Sequence, residues 1–219
     1  MEKLKAIKVR IATHDELDAL VDMHLKCFPG YYLTHLGRGI VRETYDQYFK
    51  SNLLVPIVAM SEGRVIGFIS GTYPGGSIEV DFWQKNFYRV VWRMILGLMR
   101  LDGVIWRGLL NRLGRIPKAV KRKFVKQSDE ANSVGMSLRD EENVGWLVSI
   151  AVLPEARGCG VAQKMMDCFV SLEVLRGVKH IRLCVYKNNV RATAFYEKAG
   201  FSRVKESKLL YTYQKIIVK

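Results

Sequence analysis

From Leu147 the chain reads Leu-Val-Ser-Ile-Ala-Val-Leu-Pro154, then Glu155-Ala-Arg157-Gly158-Cys159-Gly160-Val161-Ala162. An apolar run of strand length feeds a turn with two glycines. A helical period then begins, with Val161, Ala162, Met165, Met166, Phe169 and Val170 on one face. The chemistry open to such a junction is anion binding. The first N–H groups of a helix have no partner inside it and point outward at the positive end of the helix dipole. Gly158 and Gly160 carry no Cβ, so the backbone can approach a ligand closely. Arg157 adds a full positive charge. A pyrophosphate suits this arrangement better than a neutral ligand does. Two glycines alone would suit an ordinary strand–turn–helix as well. Competing phosphate loops are absent: there is no Gly-x-x-x-x-Gly-Lys-Ser/Thr, and no Gly-x-Gly-x-x-Gly after the first strand.

A second cluster lies downstream, in Asn189-Val-Arg-Ala192-Thr-Ala-Phe195-Tyr196-Glu-Lys-Ala-Gly200-Phe201. Together the two stretches resemble the GNAT superfamily of N-acetyltransferases. Arg157-Gly-Cys-Gly160-Val-Ala162 matches that family's Gln/Arg-x-x-Gly-x-Gly/Ala signature. The Asn189 stretch is similar to its Asn-x-x-Ala-x-x-x-Tyr-Glu-Lys-x-Gly-Phe. Two motifs in the right order are far more specific than either alone. Only residues 76 to 143 or so fall outside the common pattern.

The resemblance implies acetyl-CoA as cofactor and direct transfer of its acetyl group to an amine on a small-molecule or peptide acceptor. It implies that the backbone of Ile150, Ala151 and Val152 pairs with the pantetheine arm, as an added strand pairs with a sheet edge. The N–H groups of Arg157, Gly158, Cys159, Gly160, Val161 and Ala162 would hold the pyrophosphate. Asn189 would hydrogen-bond the arm, and Tyr196 would protonate the leaving thiolate. A backbone N–H of the Ile150 strand would polarise the thioester carbonyl. Family members often use a Glu near the central strands as general base. Here that strand offers only Ser149 as a polar side chain, so Glu142, just upstream, is the candidate. Glu141, Glu79 and Asp81 are further acids near the strands, and a water relay with no dedicated base stands beside them. Cys159 could suggest a nucleophile, but no His lies close in sequence and direct transfer needs none. It reads as a small residue of the loop.

These residues need a scaffold. Ile7, Val9 and Ile11 alternate with polar residues, which predicts an opening strand. Thr13-x-x-Glu16 is a capping box for a helix carrying Leu17, Leu20, Val21, His24, Leu25 and Phe28, ended by Pro29-Gly30. A second helix is expected over Ile40–Lys50, with Gly37 and Gly39 in a loop before it. Val55–Met60 and Val65–Gly71 form a hairpin about Ser61–Arg64, and Gly67 suggests a bulge. Strands are expected at Trp146–Val152, His180–Val185, Phe201–Val204 and Leu209–Val218. Helices are expected from Gly158 onward and over Asn189–Ala199, the latter ended by Gly200. The reading is α/β (α+β), a single domain over 1–219 with a mixed sheet flanked by helices. The resemblance makes that sheet mostly antiparallel.

The chain has 219 residues and a net charge of +14. The segment Phe82–Gln127 holds twelve Lys or Arg against one acid, Asp102, so most of the excess sits there. Phe87, Val90, Val91, Met94, Ile95, Leu98 and Leu101 give it an amphipathic helical face. Three readings stand for this basic helical insertion. It covers an acidic acceptor as a lid, it makes peripheral contact with an anionic membrane, or its apolar face packs on the core or on a second subunit in a homodimer. The alternative to an enzyme is an inactive protein of the same fold that binds nucleic acid or membrane through this segment. Nucleic acid is not the expected partner. The four cysteines form no C-x-x-C pair, and His14, His24, His35 and His180 share no metal-like spacing, so no metal is expected. The N-terminus has no apolar stretch of signal-peptide length, and the expected location is cytoplasmic.

Overall fold

The computed structural model describes residues 6–50, 56–72 and 143–217. The alternating runs of the sequence form β1 (Lys8–Ile11), β2 (Ile57–Ser61), β3 (Arg64–Thr72), β4 (Val144–Val152), β5 (His180–Tyr186), β6 (Ser202–Glu206) and β7 (Leu210–Ile216). They make one mixed sheet in the order β1-β2-β3-β4-β5-β7-β6. Every neighbouring pair is antiparallel except β4 and β5. The helices are α1 (Leu17–Cys27), α2 (Tyr32–His35), α3 (Arg38–Lys50), α4 (Val161–Leu175) and α5 (Val190–Lys198). The insertion at 82–127 lies outside the described residues.

The described residues fall into two compact units. The described part of the first is 6–16, 48–50, 56–72 and 143–217 and contains the whole sheet. Its core forms where α4 lies on the sheet. Val161, Met165, Met166 and Phe169 follow at helical spacing and are fully buried, each contributing about 1.5–3 kcal/mol. The strands beneath leave room for them. A Cβ on Gly67 would stand 2.9 Å from Met165 Cε, and one on Gly71 would stand 2.5 Å from the Phe169 ring. Gly67 is therefore set by the approach of α4. The bulge lies one residue earlier, at Ile66, because Ala59 pairs with Gly67 and Met60 with Val65. The hairpin itself turns on Glu62 and Gly63, both at positive φ, 50° and 76°, as a two-residue type I′ turn requires.

Near the start of the chain, Glu16 Oε2 accepts from the Thr13 N–H at 2.8 Å. This is the reciprocal half of the capping box. The turn it closes, His14–Glu16, is 3-10, and the α-helix begins at Leu17.

The described part of the second unit is Leu17–Gln47. Leu17, Leu20, Val21 and His24 form the buried face of α1, and Ile40, Val41 and Tyr45 that of α3. His24 Nδ1 and the Tyr45 hydroxyl share a hydrogen bond of 2.9 Å across the two helices. Arg38 pairs with Asp22, and Arg42 Nε with Asp18 at 3.2 Å, on the exposed side. Gly39, expected in a loop, lies in the first turn of α3, and the four-residue α2 was not anticipated.

Candidate active site

The site begins with a strand that loses one neighbour. β4 pairs with β5 only at Val144, Gly145 and Trp146, opposite His180, Ile181 and Arg182. From Leu147 to Val152 no strand among the described residues pairs with β4 on that side. On its other side β4 stays paired with β3 up to Gly67↔Val152. The register slips once: Ser70 pairs with Ser149 and Gly71 with Leu147, so Val148 is an extra, bulged residue. A bulge twists a strand and interrupts pairing, and it stands where the two parallel strands part. Val148 is 43% exposed. Beyond it, Ile150, Ala151 and Val152 have no strand neighbour on that side among the described residues, and an extended ligand can use such an edge as a strand would.

The open edge runs directly into the two-glycine loop. Pro154–Ala156 make a single 3-10 turn, and Gly158 and Gly160 both take the left-handed conformation, at φ 80° and 76°. Gly160 is the N-cap of α4 and supplies no side-chain cap. Lys164 N–H bonds Gly160 O at 3.1 Å as the helix starts, so the amides ahead of it lack intrahelical acceptors. A Cβ on Gly158 or Gly160 would meet nothing within 4 Å, so the space over the loop is open. Arg157 half-buries its side chain and donates from Nε to Val152 O at 3.1 Å, fastening the loop to the end of β4. The Cys159 thiol donates weakly to Arg157 O at 3.8 Å, within the loop.

The third part is α5. Asn189 Oδ1 accepts from the Ala192 N–H at 3.2 Å, so Asn189 is the N-cap of this helix. Tyr196, 6% exposed, packs its ring against Phe195, Phe201 and Tyr213, at centroid distances of 5.5, 5.9 and 6.4 Å. The Tyr213 hydroxyl donates to Glu197 Oε1 at 2.7 Å. Burial, helped by that carboxylate, pushes its pKa up to about 12.

Residues 126–201 match the model of the acetyltransferase (GNAT) family. Over that stretch the chain is similar to GNAT acetyltransferases. Over 69 residues it is 35% identical to N-alpha-acetyltransferase 30 of Schizosaccharomyces pombe, a match covering 32% of this chain and 44% of that protein. The chain thus spans less than half the length of the curated relative it matches. Solved structures share the fold over nearly the whole chain. PaiA N-acetyltransferase from Thermoplasma acidophilum, in complex with coenzyme A, superposes with a TM-score of 0.57 at 13% identity, over 97% of this chain and 99% of that one. The ribosomal-protein-S18-alanine N-acetyltransferase from Escherichia coli gives 0.57 at 11%, over 98% and 96%.

The residues that carry the resemblance fall in one unit, on β4, the loop, α4 and α5. Glu142, with Glu141, Glu79 and Asp81, lies outside the described residues. None of the four cysteines is in a disulfide. Among the described residues no group of three His, Cys, Asp or Glu could hold a metal ion, and no helix is long and apolar enough to cross a membrane.

Two further features escaped the sequence reading. Glu173 is fully buried, and a Cβ on Gly145 would meet its Oε2 at 2.5 Å. Neither carboxylate oxygen has a hydrogen-bond partner among the described residues, and burial pushes the carboxyl up to about 7. Its signal was readable, since Glu173 continues the apolar face of Met165 and Phe169 at four-residue steps. The second is a row of buried polar side chains on β3 and β4, of which Ser70 and Thr72 stand out as polar residues in an apolar strand.

Proposed function

We propose that this protein is an N-acetyltransferase that moves an acetyl group from acetyl-CoA directly to the amine of an acceptor. The observation that carries the reading is the succession, along one stretch of chain, of the β4 edge that β5 leaves after Trp146, the glycine loop and the uncapped start of α4. That strip suits a long ligand with an amide-bearing arm at one end and a pyrophosphate at the other. Acetyl-CoA has this shape and supplies the acyl group as an activated thioester. The open space over Gly158 and Gly160 fits the bulk of a pyrophosphate.

In this reading the backbone of Ile150, Ala151 and Val152 aligns the arm. The N–H groups from Gly158 to Ala162 hold the pyrophosphate with the help of the α4 dipole, whereas the Arg157 N–H, expected among them, donates instead to Pro154 O at 3.3 Å. Asn189, whose Oδ1 caps α5, retains its amide N–H donors for the arm. The acceptor nitrogen, freed of its proton by Glu142 or by water, bonds to the carbonyl carbon. The carbon–sulfur bond breaks, and the Tyr196 hydroxyl gives its proton to the sulfur. Tyr213 does not compete for this role, because its hydroxyl is committed to Glu197. Holding both reactants in line supplies much of the rate.

A thermal melt with acetyl-CoA tests the reading. At a hundredfold excess over its dissociation constant the ligand stabilises by about 2.7 kcal/mol, which raises the Tm of a chain this size by about 5 °C or more. No shift, together with binding to anionic vesicles or DNA, would favour the inactive binder instead. The acceptor class is the finer question, and a panel of amines scored for thiol release addresses it.

A further inference from the structure

The sheet face opposite α4 carries polar groups that neither the fold nor the cofactor strip uses. Gly71 faces α4, since its Cβ would touch Phe169, so its neighbours Ser70 and Thr72 face away. Trp146 shares their face, because it pairs with Thr72 and lies between Leu147, which pairs with Gly71, and Gly145, which faces Glu173. Ser70 is 1% exposed, Thr72 3% and Trp146 4%. Yet Ser70 Oγ, Thr72 Oγ1 and Trp146 Nε1 have no hydrogen-bond partner among the described residues.

Buried donors are rarely left unpaired, and three on adjacent strands call for a partner that the described residues do not supply. Their position says what kind. Trp146 is the last β4 residue paired with β5, opposite Arg182, whose Nε donates to Gln214 Oε1 at 2.6 Å. The exposed bulge at Val148 follows two residues later. The cluster therefore sits at the root of the split, next to the backbone edge assigned to the acyl-bearing arm.

An indole N–H can only donate, and a hydroxyl can either donate or accept. A carbonyl oxygen, with two lone pairs and no proton, satisfies the indole and one hydroxyl together. An amide N–H one bond further on satisfies the other hydroxyl. A plain alkylamine or polyamine offers the indole nothing. We propose that Ser70, Thr72 and Trp146 form an oxygen-binding subsite for the acceptor, fitted to an amine that carries a carbonyl close by, as the α-amino amide of a peptide N-terminus does. This rests on the transferase reading above.

The test compares two amines on the full chain, alanyl-alanine amide and butylamine, each at saturating acetyl-CoA. The wild type should favour the amide in kcat/KM. Ser70→Ala and Thr72→Val delete one hydroxyl each at nearly constant shape, and Trp146→Phe deletes the N–H. Each should cut the amide-to-butylamine ratio about tenfold, the factor one hydrogen bond to a buried group supplies, with the loss in KM. A ratio equal to wild type in all three variants overturns the subsite, and is the outcome if the cluster holds only buried water. A wild type that shows a CoA-dependent thermal shift but has no preference for the amide, or acetylates neither amine, overturns it as well. Absence of the CoA shift sinks the transferase reading, and the subsite with it. Melts of each variant separate misfolding from lost recognition, since a variant that merely unfolds lowers turnover of both amines alike.

Discussion

Tyr196 and Glu173 are both buried titratable side chains, and their environments predict opposite kinds of experiment. Tyr196 is ringed by Phe195, Phe201 and Tyr213, which hold it in one orientation. If its hydroxyl protonates the leaving sulfur, Tyr196→Phe should lower kcat by about a hundredfold, as loss of a general acid does. The CoA-induced shift in Tm should persist. Unchanged kcat would remove Tyr196 from that role. Glu173 concerns stability. Its folded pKa, about 7, lies above the ordinary 4.5 because burial penalises the charge. Stability from the neutral acid is therefore complete below pH 4.5 and is lost as pH rises through 7. The loss amounts to about 3 kcal/mol by pH 8. Glu173→Gln cannot ionise, so its Tm should gain on wild type between pH 5 and pH 8 by about 5 °C or more. A constant difference would show that Glu173 does not titrate in that range. His24 works in the opposite sense. Burial lowers its pKa to about 4 from 6.5, so its contribution is present above pH 6.5 and lost as pH falls through 4. The wild-type profile mixes the two slopes, and the single variant isolates one.

Among the elements, the strand–loop–helix of Leu147–Leu175 was the most legible, because each part has a local cause: an apolar run of strand length, two glycines in positive φ, and a 3.6-residue period. Two glycines of this motif and its neighbouring strand are needed for different reasons, which alanine substitution separates. At Gly71 the obstacle is space: a Cβ would meet Phe169 at 2.5 Å and the Trp146 carbonyl at 2.6 Å. Gly71→Ala should cost about 1–3 kcal/mol through overpacking, visible as a lowered denaturation midpoint. At Gly160 space is free, and the obstacle is the left-handed backbone. Gly160→Ala should cost about 1–2 kcal/mol and weaken CoA binding more than Gly71→Ala does, because the strain falls on the loop amides. Equal effects on CoA affinity would argue against that loop as the pyrophosphate cradle. Other features were not legible for a shared reason. The parting of β4 from β5, the bulge at Val148 and the room Gly145 leaves for Glu173 all depend on partners distant in sequence. Gly67 suggested a bulge from its type alone, whereas its cause is Met165, almost a hundred residues away. The short α2 carries too few residues for a period to show.

At the scale of the whole molecule the dominant quantity is charge. The chain carries 35 Lys and Arg against 21 Asp and Glu, and an excess of this size attracts anions over distances longer than a hydrogen bond. A CoA molecule is strongly anionic through its phosphates, so part of its affinity should come from this field and part from the loop amides at contact. Salt separates the two. Between 0.1 and 1 M the screening length falls from about 10 Å to about 3 Å, which removes the distant charges and leaves the hydrogen bonds of the loop. Titration of CoA by calorimetry should therefore show a dissociation constant that rises by about tenfold over that range and then flattens. Affinity independent of salt would mean that the loop alone binds and that the charge of Phe82–Gln127 serves another partner. Affinity abolished by salt would mean that the amides of Gly158–Ala162 contribute little, which the open, acceptor-free geometry of that loop argues against.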